Sequence, residues 1–66
     1  MSSTAIQTKS LTILEDQMQH EFLACKKARQ YAGSFENPAL KSLAETVATQ
    51  HRERFERLFG YLNSHA

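Results

Sequence analysis

Residues that interrupt helices or cross-link the chain are scarce in this sequence. Its 66 residues include one cysteine, one proline, two glycines and no tryptophan. A single thiol excludes an intrachain disulfide, and it suggests a reducing compartment. No stretch shows sustained alternation of apolar and polar residues, so we expect no β-sheet. Long segments free of Gly and Pro instead predict an all-α protein.

The sequence also lacks a large excess of positive or negative charge, and it lacks long apolar runs. The formal net charge is +1, which argues against a strong electrostatic attraction to nucleic acid or to a membrane surface. No apolar run reaches the roughly 18 residues that a membrane span needs, and the first residues lack the apolar block of a secretory signal. We expect a cytoplasmic protein with neither nucleic acid nor a membrane as its partner.

The N-terminal half of the sequence predicts an arm followed by a first helix. Residues 1–10 are mostly small and polar, which is typical of a flexible arm. The helical pattern runs over about 11–33. Thr12 and Glu15 have the spacing of a capping box, with Ser10 as an alternative cap. Gly33 is suited to the left-handed conformation that often ends a helix.

The C-terminal half predicts a second helix over about 38–63. Asn37 can accept hydrogen bonds from the first free amides of a helix, and Pro38 suits the first helical position. The connection between the two helices is short, so they must run antiparallel as a helical hairpin. Residues 11–66 are therefore predicted to form one hairpin domain.

Both predicted helices have apolar arcs that are wider than one neighbouring helix can cover. Chains this short are often marginal alone and need a disulfide, a metal or a partner. Two hairpins packed face to face would bury both arcs, which predicts a homodimeric four-helix bundle. The predicted dimer core consists of Leu14, Met18, Phe22, Cys25, Leu40, Val47, Phe55, Leu58 and Leu62.

Two polar residues interrupt these arcs. Glu21 lies near the centre of the first arc, and His51 lies on the apolar stripe of the second helix. In an antiparallel hairpin, residues whose numbers sum to roughly 71 lie at the same height. The carboxylate of Glu21 should therefore meet the imidazole of His51, although Arg54 is an alternative partner. A buried charge requires such a partner.

The same register suggests ion pairs between the helices at the surface of the hairpin. Exposed pairs of this kind contribute about 0–1 kcal/mol each and favour one register. The expected partners are Asp16 and Glu15 with Arg54 and Arg57, and Lys26 with Glu45.

The Glu–His pair allows two interpretations. In the first, Glu21 and His51 form a satisfied polar cluster that sets helix register. In the second, a dimer presents two copies of each residue as four ligands for Fe or Zn. Cys25 lies on the apolar arc with no facing base, so we interpret it as an inert buried thiol, and we expect no enzyme activity.

The segments EFLACKKARQY and NPALKSLAETVATQHRERFERLFGYL resemble the helices of small ferritin-like hairpins, in particular the spore-coat F and rubrerythrin-like groups. The resemblance covers about residues 11–63. It implies a ferritin-like bundle and a metal site built on Glu-x-x-His motifs. Only Glu21 and His51 match that ligand set, since Ala48 stands where the motif has Glu. Coat-type members imply a structural role in a spore-forming bacterium.

These observations lead to one leading expectation and one alternative. The leading expectation is a small non-catalytic structural or protein-interaction module without a cofactor, acting as a homodimer and with other proteins as further partners. The alternative is a metal-binding or redox protein that holds Fe or Zn between helices through Glu21 and His51.

Overall fold

The fold is an antiparallel hairpin of two α-helices. A computed structural model describes residues 2–64, with side chains from Gln7 onward. Helix α1 spans Ser2–Ser34 and helix α2 spans Pro38–Ser64, with a three-residue connection between them. No strand occurs in this described part of the chain. The predictions of an all-α chain and a helical hairpin are confirmed.

The predicted start of the first helix is wrong. Helix α1 begins at Ser2, nine residues before the expected start, so the described part of the predicted arm is helical. Thr12 does not cap the helix. Its hydroxyl donates to the carbonyl of Thr8 at 3.1 Å, inside the helix. No Gly or Pro interrupts residues 2–32, and Ser and Thr are tolerated in a helix when their hydroxyls bond back to the preceding turn.

The two helix ends at the turn behave differently. Gly33 has no positive φ, so the predicted left-handed stop is wrong. Helix α1 continues to Ser34, and the amide of Phe35 still donates to the carbonyl of Tyr31 at 3.0 Å. The predicted start of α2 is confirmed. The Asn37 side-chain oxygen accepts from the amides of Ala39 and Leu40 at 2.8 and 3.2 Å.

The hairpin is a rod one layer thick. Its Cα atoms extend over 55 × 17 × 11 Å, and two packed layers of helices would need roughly another 8–10 Å of thickness. Over the described residues, neither helix offers a stretch long and apolar enough to cross a membrane. The shape leaves both broad sides of the helix pair without a second layer.

Small side chains form the tightest part of the helix–helix contact. Cys25, Ala28 and Ala48 make up the buried cluster, and Val47 packs against it. Ala32 is also buried, whereas no large side chain among the described residues is fully buried. Small residues allow the two backbones to approach closely. Larger apolar side chains then extend to either side of the contact, where many of them remain exposed.

Candidate functional site

The polar centre of the hairpin is a hydrogen-bonded carboxylate–imidazole pair. Nδ1 of His51 lies 2.5 Å from Oε2 of Glu21, across the two helices. Glu21 is only 4% exposed, and His51 is half-buried. A carboxylate can only accept, so the proton lies on Nδ1 and His51 donates. The predicted meeting of Glu21 and His51 is confirmed, with a register one residue from the expected one.

The second carboxylate oxygen of Glu21 is also occupied. Gln17, one turn earlier on α1, donates through Nε2 to Oε1 of Glu21 at 2.8 Å. Both oxygens of the buried carboxylate therefore have a hydrogen-bond donor. No buried side-chain nitrogen or oxygen in the described part of the chain lacks a partner, so the cluster meets the usual condition for burying a charged group.

These contacts lower the pKa of the Glu21 carboxyl below its ordinary value. The hydrogen bond from His51 is the largest cause. Burial acts in the opposite direction, because it disfavours the charged form, but it is outweighed. The hydrogen bond from Gln17 and the electrostatic attraction of His51 and Arg54 lower the pKa further. Glu21 is therefore held as a carboxylate at neutral pH.

Two further residues surround the pair. Arg54 lies with Gln17 and Glu21 in a groove along one side of the hairpin, where it contributes positive charge without displacing His51 from the carboxylate. The ring of His20 lies edge-on to the ring of His51, with 6.5 Å between centroids. His20 is exposed and borders the pair.

The pair lies beside the more apolar of the two broad sides of the hairpin. At 100° per residue, positions on α1 and α2 that recur every three or four residues share a side. Grooves above and below the pair open on this side. We call it the tyrosine face, and its apolar residues are Ile13, Tyr31, Phe35, Leu40, Leu43, Val47, Leu58 and Tyr61.

The other broad side, which we call the opposite face, carries three phenylalanines and several cations. The Phe22 and Phe55 rings lie 6.0 Å apart between centroids, and those of Phe55 and Phe59 lie 6.4 Å apart. Lys26 and Arg29 border the same groove. Apart from Leu23 on the back of α1, the strongly exposed apolar side chains are thus divided between two sides that point away from each other.

The residues predicted for a dimer core are distributed over both sides. Leu14 and Leu58 line a groove on the tyrosine face, and Leu40 and Val47 line another on the same face. Phe22, Cys25 and Phe55 line the groove on the opposite face. Met18 and Leu62 are half-buried in the contact between α1 and α2. One face-to-face contact covers one side of the hairpin. Of the predicted residues, it can therefore include only the four on the tyrosine face.

The predicted ion pairs between helices do not form within the hairpin. Among the described side chains, the ion pairs are Glu21–His51 across the helices and Arg52–Glu56 within α2, at 3.8 Å. Asp16 and Arg57 lie at the same height, but the helical angle turns them toward opposite outer edges of the tyrosine face. Glu15 with Arg54 and Lys26 with Glu45 are likewise not paired. Equal height was therefore not sufficient for pairing.

The capacity of one hairpin for metal is limited. Within the described residues, no group of three or more His, Cys, Asp or Glu side chains is arranged to hold a metal ion. Glu21 and His51 bring together one carboxylate and one imidazole, which is half of a four-ligand set. Cys25 is a buried free thiol on the side of the contact nearer the turn. Chemically, one hairpin offers a desolvated acid–imidazole pair.

Three contributions to the site were not found from the sequence. Gln17 was not recognised as the second donor to Glu21, although its position four residues earlier on the same helix would have indicated it. The proximity of His20 to His51 was also not predicted. Ala48 was noted only as an interruption of a ligand motif, whereas it is the most buried of the core residues at 3% exposure.

The geometry thus defines an all-α helical hairpin with a polar pair at mid-length. A comparison with protein-family models finds no match, and comparisons with curated proteins and with solved structures find none either.

Proposed function

We propose that the chain is a small non-catalytic structural or protein-interaction module whose working unit is a homodimer. The observation that carries this proposal is the tyrosine face. It presents a row of large apolar side chains, among them Leu43 at 61% exposure, on a rod only one layer thick. Exposed apolar patches of this kind mark interaction sites.

A second copy is the partner that this surface fits best. Domains bury their apolar faces by packing two layers of secondary structure, and the hairpin supplies one. Two tyrosine faces in contact would give four helices, each antiparallel to its neighbours, around a shared core. That arrangement is the kind of bundle implied by the resemblance to small ferritin-like hairpins. The same resemblance supports a structural, spore-coat-related role, and with the single thiol it supports a cytoplasmic or spore location.

The Glu21–His51 pair fits this module as a device for specificity. Both carboxylate oxygens are already bonded within one chain, so the pair is satisfied without a ligand. A pair of this type fixes the register of two helices, because any slip would leave a buried charge without its partner. The small residues that surround it on the turn side would otherwise tolerate several registers.

A matched pair of variants tests the dimer. Leu43→Glu places a charge on the tyrosine face, whereas Leu23→Glu places the same charge on the back of α1, where Leu23 is 55% exposed. Sedimentation equilibrium should give a dimer for the native chain and for Leu23→Glu. Leu43→Glu should weaken association roughly 100-fold or more, because the carboxylate would be desolvated. A native monomer, or equal masses for both variants, would refute the proposal.

The alternative function is metal binding or redox activity at a site shared by two copies. The observation that favours it is the position of Glu21 and His51 at mid-length beside the tyrosine face, where a two-fold axis would bring two of each together as a ligand set for Fe or Zn. Arg54 weakens this alternative, because its charge repels a cation.

Elemental analysis separates the two functions. Purified dimer loaded with Zn²⁺ or Fe²⁺ would hold one metal per two chains if the alternative is correct, and both Glu21→Ala and His51→Ala would abolish it. His20→Ala is the control, since His20 borders the pair without contacting the carboxylate. Substoichiometric metal that is equal in all four proteins supports the structural module.

A further inference from the structure

The tyrosine face carries charged residues that form no ion pair with the side chains the structure describes. Asp16 lies at the outer edge of this face on α1, and Arg57 lies at its outer edge on α2. Neither forms an ion pair among the described side chains. Arg54 lies nearer the middle of the face, where it adds to the field at Glu21. The charge of Asp16 on the α1 edge is complementary to that of the two arginines on the α2 side, and Lys27, 6.0 Å from the Tyr31 ring, adds a base to the α1 edge nearer the turn.

The register of the hairpin places these charges at the same height. Because Glu21 meets His51, Asp16 lies level with residue 56, within about 1.5 Å of the height of Arg57. The two side chains point to opposite edges of one hairpin and cannot meet there. A second hairpin whose turn lies at the same end would place its α2 against this α1, and its Arg57 would then adjoin Asp16.

Apolar residues on the tyrosine face match under the same arrangement. Tyr31 on α1 lies between the heights of Leu40 and Leu43 on α2, and Ile13 lies near the height of Leu58. With the turns at one end, each of these would meet its counterpart on the second copy. The polar section around Gln17 and His20 would meet Gln50 and Arg54. Apolar side chains would therefore pack against apolar side chains of the other copy, and polar side chains against polar ones.

The reverse arrangement, with the turns at opposite ends, is less complementary. It would pack α2 of one copy against α2 of the other around the height of His51, and α1 against α1 around the height of Glu21. Arg54 would then face Val47 of the other copy, and Arg57 would lie near Leu43. Asp16 would meet Lys27, so the two arginines would have no acid opposite them. Burial of an unpaired charge is costly.

We propose that two copies dock through their tyrosine faces about a two-fold axis parallel to the hairpin, with both turns at the same end and a rim ion pair between Asp16 and Arg57 of the partner. This inference rests on the proposed homodimer and assigns its orientation. The resulting dimer presents both turns at one end and both described helix termini at the other, while the two opposite faces remain outward.

Disulfide trapping of mixed chains tests the orientation. In a Cys25→Ala background, one chain carries Tyr31→Cys and the other carries Leu43→Cys. The proposal predicts a cross-linked heterodimer on mild oxidation, because facing helices bring such positions within the 4.4–6.8 Å between Cα atoms that a disulfide spans. A mixture of Leu43→Cys and Leu58→Cys chains is the matched control and should not cross-link.

Three other outcomes would each contradict the proposed orientation, and the last would also contradict the homodimer. Cross-linking of Leu43→Cys with Leu58→Cys would place the turns at opposite ends, leaving the homodimer intact. A dimer by sedimentation equilibrium that cross-links in neither mixture would move the interface away from the tyrosine face and overturn the orientation. A monomer with full helix content by circular dichroism would overturn both the orientation and the proposed function.

Charge reversal gives a second measurement that needs no cysteine. Asp16→Lys should weaken dimerisation roughly 10-fold, since two exposed ion pairs become two repulsive contacts. Adding Arg57→Asp should restore most of the native dissociation constant, whereas adding Lys27→Asp should not. Restoration by Lys27→Asp in place of Arg57→Asp would contradict the proposed orientation.

Discussion

The contact between the two helices changes character from one end to the other. Toward the turn, it is built from small side chains, and Cys25, Ala28, Ala32 and Ala48 are buried. Toward the termini it is built from large ones, which are only half-buried: Leu14, Met18, Phe55, Leu58 and Leu62. The Glu21–His51 pair lies at the boundary.

This difference shows that, among the apolar residues of the contact, burial follows side-chain size, whereas the polar side chain of Glu21 is buried through its hydrogen bonds. A small side chain fits entirely between two close backbones. A large one extends past the line of contact and needs cover from a further layer. The line of contact is therefore closed by small side chains in the turn half, whereas in the terminal half its large side chains stay partly exposed.

The largest effect is expected at the boundary itself. His51→Ala would leave the buried carboxylate of Glu21 with one donor, and it should lower the free energy of unfolding by about 3 kcal/mol. The control is His20→Ala, an exposed imidazole on the same side, which should change stability by less than about 0.5 kcal/mol. Urea unfolding followed by circular dichroism measures both. Equal losses for the two histidine variants would refute the internal role of the pair.

The next largest effect is expected where the two helix backbones approach closely, in the turn half of the contact. Ala48→Leu would force a large side chain between the backbones, and it should cost about 2 kcal/mol through overpacking. The matched variant Ala39→Leu, at an exposed position near the start of α2, should be within about 0.5 kcal/mol of the native chain. If Ala48→Leu were neutral, the helices would not approach as closely as the structure shows.

A smaller effect is expected in the terminal half. Leu58→Ala should lower stability by about 1.5 kcal/mol, less than a fully buried leucine would, and most of that loss should appear as weaker association. Native unfolding midpoints should rise with protein concentration, and Leu58→Ala should shift them all downward. Leu23→Ala on the exposed back of α1 is the control. Midpoints independent of concentration would contradict the need for a partner.

The sequence predicted the parts of the fold that follow from local signals and simple geometry. Asn37 and Pro38 mark the start of α2, and the antiparallel register brought Glu21 to His51 to within one residue. Buried polar residues were conspicuous because they interrupted an apolar arc. For the same reason, the central pair was the part of the candidate site that could be identified before the structure was known.

Other features depend on which of several allowed options the chain adopts. The start of α1 at Ser2 was missed because small polar residues are compatible with both an arm and a helix. Gly33 permits a left-handed stop without requiring one. The ion pairs expected of Asp16 failed because height was considered without the outward angle of each side chain. The burial of Ala48 depends on how closely the backbones approach, which periodicity does not specify.

The smallest and most gradual effect concerns pH. The pKa of Glu21 in the folded chain lies below its ordinary value of 4.5, so the stabilisation from its charged form is complete above that value. It is lost as the pH falls through the folded-state pKa. Glu21→Gln should remove this part of the acid-induced loss, whereas Glu53→Gln at an exposed position should retain it. Parallel stability profiles for native and Glu21→Gln chains below pH 4.5 would contradict the assignment.

We expect that one copy of this hairpin cannot cover its own apolar surface. Sedimentation equilibrium of the unaltered chain at micromolar concentration, with helix content measured on the same sample, tests it most directly. The expected result is a helical species of twice the 7.5 kDa of one chain. A stable, fully helical species of 7.5 kDa would contradict it.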